Sequence, residues 1–208
     1  MILEVLNIAG VAAFSISGVL AGVKKKLDIL GVVVLGIITA FGGGILRDVI
    51  LNSVPASVVN ERDMYIAIVI SILAYALFKK MKNYFYLIRI FDAAGLALFT
   101  IIGAERGMSA GLGLLGTVLM ATLTGVAGGA IRDVLIMEIP FILKEEVYAL
   151  LSIIGAVVFW IGINYFDLDK SILSYIIIIM IFAGRMIAVK YNLHLPRRTI
   201  EENIEKNN

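Results

Sequence analysis

The sequence predicts an all-α integral membrane protein with seven transmembrane helices, arranged as two inverted three-helix repeats plus a seventh helix. The first reason is composition: 61% of the 208 residues are hydrophobic and 16% are charged, whereas soluble domains are about 45 to 50% apolar and about 25% charged. The others are a series of long apolar segments and an internal repeat. The net charge of +2 gives no reason to expect nucleic acid as a partner.

Seven segments are long enough, or nearly so, to cross a bilayer, which takes about 20 apolar residues. Each must be a helix, because a lone strand in lipid would leave its backbone groups without hydrogen-bond partners. The segments cover residues 2–23, 29–51, 63–78, 88–104, 112–136, 147–166 and 171–189. We expect one transmembrane domain over residues 1–190 and a polar cytoplasmic tail over residues 191–208.

The basic residues predict the orientation. If the N-terminus is outside, 13 of the 18 Lys and Arg residues lie on the inner side, three on the outer side and two within the membrane. Because basic residues collect at the cytoplasmic ends of spans, we expect a multi-pass protein of the cell membrane with its N-terminus outside and its C-terminus in the cytoplasm.

Residues 85 apart match without a gap, and the matches include glycine and polar positions. Each copy holds three spans, residues 1–82 in the first and 86–166 in the second. An odd number of spans places the second copy in the opposite orientation, so the repeat is inverted. The segment at 171–189 has no counterpart and is an added seventh helix.

Two glycine motifs occupy matching places in the second and fifth segments. They consist of Gly42, Gly43 and Gly44 and of Gly128 and Gly129. Each glycine in a helix costs about 1 kcal/mol of helix stability relative to alanine, so we expect each helix to bend or unwind there. The carbonyl groups freed by an unwound turn, together with the hydroxyls of Thr39 and Thr124, would then line a path for a cation.

A charge pair follows each glycine motif: Arg47 and Asp48 in the first copy, Arg132 and Asp133 in the second. Adjacent helical residues point about 100° apart, so we expect the two members not to face one another. The arginines should instead face water, a lipid phosphate or a carboxylate across the bundle. Whether they act on the permeating ion or only brace the helices is open at this stage, and the aspartates fit a structural role better.

Two further groups have a structural interpretation. Small residues recur every four positions on the first and fourth segments, which is typical of close helix packing in membranes. In each segment a glycine lies four residues before and four residues after a phenylalanine, as in Gly10, Phe14, Gly18 and in Gly95, Phe99, Gly103. Arg89 and Asp92 are three residues apart, so we expect an ion pair at the inner interface.

The seven spans, the two repeats and the doubled GGGxxRD-type motif resemble the trimeric intracellular cation (TRIC) channel family in its prokaryotic form, whose relatives include glycine-transporter-like bacterial proteins. The resemblance implies a homotrimer in a lipid membrane, each subunit enclosing its own potassium pore bounded by the second and fifth helices. It assigns the pore hinge and its attached charges to Gly42, Gly43, Gly44, Gly128, Gly129, Arg47, Asp48, Arg132 and Asp133. Ala127 replaces the first glycine of the second motif, and the lysine with which animal members engage phosphoinositide has no match here.

The main functional hypothesis is therefore a channel for potassium and other monovalent cations. The alternative is a secondary transporter of a small solute such as glycine, since inverted repeats with broken helices are also typical of transporters. We expect no enzyme, because no span combines a nucleophile with a base at helical spacing. No cofactor or metal is expected either, since the chain has no cysteine and its single histidine is His194.

Overall fold

The computed structural model describes residues 2–78, 83–144, 147–191 and 193. Within these residues the chain forms α-helices joined by short connections, and no strand occurs, so the all-α prediction is confirmed. The helices are α1 (Ile2–Lys24), α2 (Ile29–Ile50), α3 (Ala56–Val59), α4 (Glu61–Phe78), α5 (Tyr84–Ser109), α6 (Leu114–Leu135), α7 (Phe141–Lys144), α8 (Val147–Phe166) and α9 (Lys170–Tyr191).

Six of the described helices are long and apolar enough to cross a membrane: α1, α2, α5, α6, α8 and α9. The segment predicted at 63–78 is also helical, as α4, but it begins with Glu61, Arg62 and Asp63 and does not reach the same apolar standard. The seventh span therefore stays a prediction. His194, most of the predicted tail and the inner-side residues Lys79, Lys80 and Lys82 lie outside the described residues.

Local geometry repeats with the 85-residue offset. After α1 and α2 the chain turns through the left-handed backbone region at Lys26 and Asn52, and after α5 and α6 it does so at Gly111 and Met137. A left-handed residue is a common way to end a helix. As a result, α1 and α2 end 85 residues before α5 and α6.

The centre of the bundle is the packing of α1 on α5. The rings of Phe14 and Phe99 are 5.3 Å apart, and each ring lies against a glycine of the other helix, Phe14 against Gly95 and Phe99 against Gly10. A Cβ on either glycine would press into the opposite ring, so the small residues allow the two helices to approach. The predicted close packing is confirmed.

Ion pairs connect the ends of the helices. At one end, called the Glu4 end, Glu4 of α1 pairs with Arg62 of α4, and Glu105 of α5 pairs with Lys170 of α9. At the opposite end, called the Lys24 end, Lys24 of α1 pairs with Glu138, which follows α6.

Candidate functional site

The two glycine motifs meet where α2 packs on α6. A Cβ on Gly43 would collide with the backbone carbonyl oxygen of Thr124, and a Cβ on Gly128 would collide with that of Thr39. The contact is reciprocal, since Gly43 and Gly128 are 85 residues apart, as are the two threonines. The glycines thus allow the backbones of two helices to touch in the middle of the bundle.

Both helices stay α-helical through their glycine motifs, α2 from Ile29 to Ile50 and α6 from Leu114 to Leu135. The predicted unwinding is therefore wrong. The physical reason is that close helix contact, rather than a break in the backbone, explains the glycines. A bend within each continuous helix, and a hinge role for these glycines, stay predictions.

The other motif glycines differ in their surroundings. A Cβ on Gly42 would lie 2.9 Å from the side chain of Ile131, whereas one on Gly44 would meet only Arg47, at 3.7 Å. A Cβ on Gly129 would lie 3.0 Å from Asp92 and 3.3 Å from the Tyr148 hydroxyl. Gly44 is thus the motif position with room for a side chain.

The two threonines of the predicted cation path are buried. The Thr39 hydroxyl donates to the Leu35 carbonyl and the Thr124 hydroxyl to the Met120 carbonyl, each at 2.6 Å. Each hydroxyl oxygen still has lone pairs that can accept a hydrogen bond or a cation.

Arg132 forms a fully buried cluster, the Arg132 cluster, with Ser17, Asp92 and Asp133. Its Nη1 donates to Asp92 at 2.7 Å and to Ser17 at 2.5 Å, while Nε and Nη2 donate to Asp133 at 2.9 and 2.8 Å. The second oxygen of Asp133 accepts from the backbone N–H of Phe141 at 3.0 Å. The predicted carboxylate across the bundle is thus confirmed for Arg132, and it is Asp92 that supplies it.

The prediction that neighbouring Arg and Asp cannot face one another is wrong in both copies. Arg132 pairs with Asp133, and Arg47 likewise donates to Asp48 from Nε at 2.8 Å and from Nη2 at 2.7 Å. The 100° argument holds for Cβ directions, but arginine has a long stem and a forked group of five donors that can turn back to the adjacent carboxylate.

The surroundings of Arg47 differ from those of Arg132. Asp48 repeats the Asp133 contact, since its second oxygen accepts from the Ala56 N–H at 2.9 Å. The partners across the bundle do not repeat, because the positions equivalent to Asp92, Tyr148 and Ser17 hold Asn7, Asp63 and Ile102. Asn7 donates to Asp63 at 2.6 Å instead.

A cavity of about 570 Å³, called the vestibule, occupies the Glu4 end. Arg47 lies in its wall, and its lining also includes Glu4, Asn7, Asn60, Arg62, Asp63, Ile102, Glu105, Arg106 and Ser109. A second space of about 30 Å³ shares Asn7, Arg47 and Asp63 with it and extends to Ala40, Phe41 and Gly44 of α2. The two spaces thus have Arg47 in a common wall, and the smaller one lies against Gly44 of the first glycine motif.

The Lys24 end is covered. Phe141 lies over the Arg132 guanidinium, with 5.3 Å between the ring centre and the cation, and packs on Phe85. Glu138 pairs with Lys24 at 3.1 Å and Lys25 at 3.0 Å. Burial opposes the charge on Glu138, but hydrogen bonds from Lys25 and Lys24 outweigh it, so the pKa of Glu138 lies below its ordinary value.

Two buried acidic residues were not identified from the sequence as members of the candidate site. They are Asp92 and Glu105, which are 1% and 5% exposed. Asp92 was expected to pair with Arg89, but it pairs with Arg132, whereas the Arg89 guanidinium lies over the Phe85 ring. The signal was available: an ionisable residue inside an apolar helix is costly and commonly functional. Among the described residues no group of three acidic or histidine side chains could hold a metal ion.

Known proteins resemble this chain over nearly its whole length. The family described as glycine transporter matches residues 4–80 and 89–164. The UPF0126 inner membrane protein YadS of Escherichia coli is 38% identical over 98% of this chain and 99% of its own, and the UPF0126 membrane protein YvgT of Bacillus subtilis is 36% identical over 94% and 96%.

Solved structures give the same result for the fold. A prokaryotic TRIC channel crystallised in 0.5 M KCl has a TM-score of 0.86 and 37% identity, covering 94% of this chain and 99% of its own. The TRIC orthologue from Rhodobacter sphaeroides has a TM-score of 0.87 and 28% identity, covering 92% and 98%. The chain therefore belongs to the glycine transporter family and to the UPF0126 membrane proteins, and it has the fold of the prokaryotic TRIC channels.

Proposed function

We propose that this protein is a channel for monovalent cations, mainly potassium, with a path inside each subunit along the packed faces of α2 and α6. The observation that carries the proposal is the vestibule at the Glu4 end, together with the second space that shares Asn7, Arg47 and Asp63 with it and reaches Gly44 of the α2 glycine motif. The likeness to structures described as TRIC cation channels supports the same function.

The path we propose crosses the bundle between two glycine motifs. Thr39 and Thr124 offer hydroxyl and carbonyl oxygens there, and oxygen atoms are the ligands that potassium uses in channels. In the structure described here the carbonyls of Thr39 and Thr124 touch Gly128 and Gly43. Conduction therefore requires α2 and α6 to move apart at this contact, with the glycines as the hinge.

The charge clusters give the two ends of the path different roles. Arg47 lies in the wall of the vestibule, where it repels cations, and we assign it to the control of conduction or gating together with Asp48. Arg132 and Asp133 lie under Phe141 at the covered Lys24 end, and we assign them to the closed gate. The path thus has an open mouth at the Glu4 end and a closed one at the Lys24 end.

The arrangement we propose has two inverted repeats, residues 1–82 and 86–166, followed by a seventh helix. The matching turns and the reciprocal Gly43 and Gly128 contacts support it. By resemblance we further propose a homotrimer without enzymatic activity. From the distribution of its basic residues we propose that it lies in the cell membrane with the Glu4 end outside.

Purified protein in planar bilayers tests the function. With potassium chloride gradients across the bilayer, we expect single-channel currents that reverse near the potassium equilibrium potential. Arg47→Ala should raise the potassium conductance, because it removes a positive charge from the vestibule wall. Absence of current at every voltage would contradict the proposed channel function. If conductance and gating were unchanged in Arg47→Ala, Arg47 would have only a structural role.

A transporter of a small solute such as glycine is the second candidate, and the description of the matching family favours it. A site open at one end and closed at the other is also what alternating access requires. Exchange of labelled glycine across liposomes without ionic current would decide for the transporter.

A further inference from the structure

Glu105 is an acidic residue of the vestibule with an unused oxygen. It lies near the end of α5, is 5% exposed and lines the cavity. Its Oε2 accepts from Lys170 at 3.3 Å, whereas Oε1 is buried and has no hydrogen-bond partner among the described residues. A buried carboxylate oxygen without a donor is costly, so this position favours a cationic ligand.

The other vestibule acids are already engaged. Asp63 accepts hydrogen bonds from Asn7, Asn60 and Arg62, and Glu4 pairs with Arg62. Glu4 is half exposed, so water can reach its second oxygen. Glu105 therefore differs from both in being buried with one oxygen that has no hydrogen-bond partner among the described residues. The position 85 residues before it is Leu20, so this carboxylate is present at the Glu4 end and not at its repeat equivalent.

The ion pair between Lys170 and Glu105 is weak. It is the first residue of α9, where the helix dipole opposes a positive charge, and its side chain is 50% exposed. Because the lysine end of this pair is half exposed, water competes for its ammonium group and weakens its hold on the buried carboxylate. A small cation can therefore take its place.

We propose that Glu105 is a binding site for a monovalent cation at the mouth of the vestibule, and that Lys170 is a tethered cation which a permeating ion displaces. The inference rests on the proposed channel, since it gives the path its first binding step. Arg106 and Arg47, which also line the vestibule, limit how strongly a cation is held there, and weak binding suits conduction because the ion must also leave.

Thermal unfolding of the purified protein in detergent tests the site without relying on current. Potassium replaces a bulky organic cation at constant ionic strength, and the rise in Tm is followed against potassium concentration, because a ligand that binds the folded state raises Tm. We expect Glu105→Gln to lose most of this rise. Lys170→Met should lower the half-maximal potassium concentration about two- to fivefold, in line with the small energy of an ion pair whose lysine is half exposed to water.

Glu4→Gln is the matched control, because it removes the same charge from the same cavity at a carboxylate that is half exposed to water, and its potassium response should stay close to wild type. The site is refuted if the wild type shows no potassium-dependent rise, if Glu105→Gln keeps it, or if Lys170→Met does not shift it. A potassium response without bilayer current would leave the site standing and reject the channel. Bilayer current together with an unchanged potassium response in Glu105→Gln would support the channel and reject the Glu105 site.

Discussion

Gly43 and Gly128 are positions where one methyl group changes the contact between α2 and α6. Each faces a backbone carbonyl, which cannot rotate away as a side chain can. We expect Gly43→Ala and Gly128→Ala each to destabilise the protein by about 1 to 3 kcal/mol, the usual effect of overpacking, and to lower Tm in detergent.

Gly44→Ala provides the matched control within the same motif. Its nearest neighbour would be a flexible arginine 3.7 Å away, so the gain in helix propensity of up to about 1 kcal/mol should prevail. Equal stability of Gly43→Ala and Gly44→Ala would show that the carbonyl contact does not limit the packing.

The charged residues show how far sequence reasoning reaches at the scale of a side chain. The pattern identified Arg47, Asp48, Arg132 and Asp133 as a repeated unit, but it could not predict that each arginine turns back to its neighbour. Side-chain torsions of a long residue are decided by the partners around it. For Arg132 these are Asp92 and Ser17, which come from helices far away in the sequence.

At the scale of an element, the connection after α6 covers the Lys24 end. Glu138 contributes stability while it is ionised, because Lys24 and Lys25 hold its pKa below the ordinary value of 4.5. This contribution is complete above that value and is lost as the pH falls through the lowered pKa of the folded state.

The stability difference between wild type and Glu138→Gln therefore depends on pH. We expect a difference of about 0.2 to 1 kcal/mol at neutral pH, since the pair is partly exposed, and none at a pH well below the carboxyl pKa. Denaturant unfolding of both proteins between pH 3 and 7 measures it. A difference that does not change with pH would mean that Glu138 acts by packing and not by charge.

The positions of the long helices were predicted well, because the length of an apolar segment is enough to indicate a transmembrane helix, whatever the helix packs against. The helix ends were less accurate: α5 runs from Tyr84 to Ser109, beyond the predicted segment 88–104 at both ends, because a helix can continue through polar residues such as Glu105 that an apolar segment excludes. The unwinding predicted as one outcome of the glycine motifs does not occur, since a run of glycines in the sequence does not distinguish an unwound turn from a close contact with another helix.

For the whole molecule, the predicted orientation can be tested because the chain has no cysteine. Ser109→Cys places a thiol at the Glu4 end and Lys26→Cys places one at the Lys24 end, both at exposed positions. In intact cells a membrane-impermeant maleimide should label the first and not the second. The opposite labelling would reverse the orientation, and the vestibule would then open to the cytoplasm.

The packing of Phe14 on Phe99 also has a consequence for synthesis. The two rings are 85 residues apart in the chain, and a ribosome adds about 5 to 20 residues per second. The first helix therefore waits about 4 to 17 seconds, by that rate, before its main partner has been made. The central contact of the folded bundle can therefore form only after the chain has been made as far as Phe99.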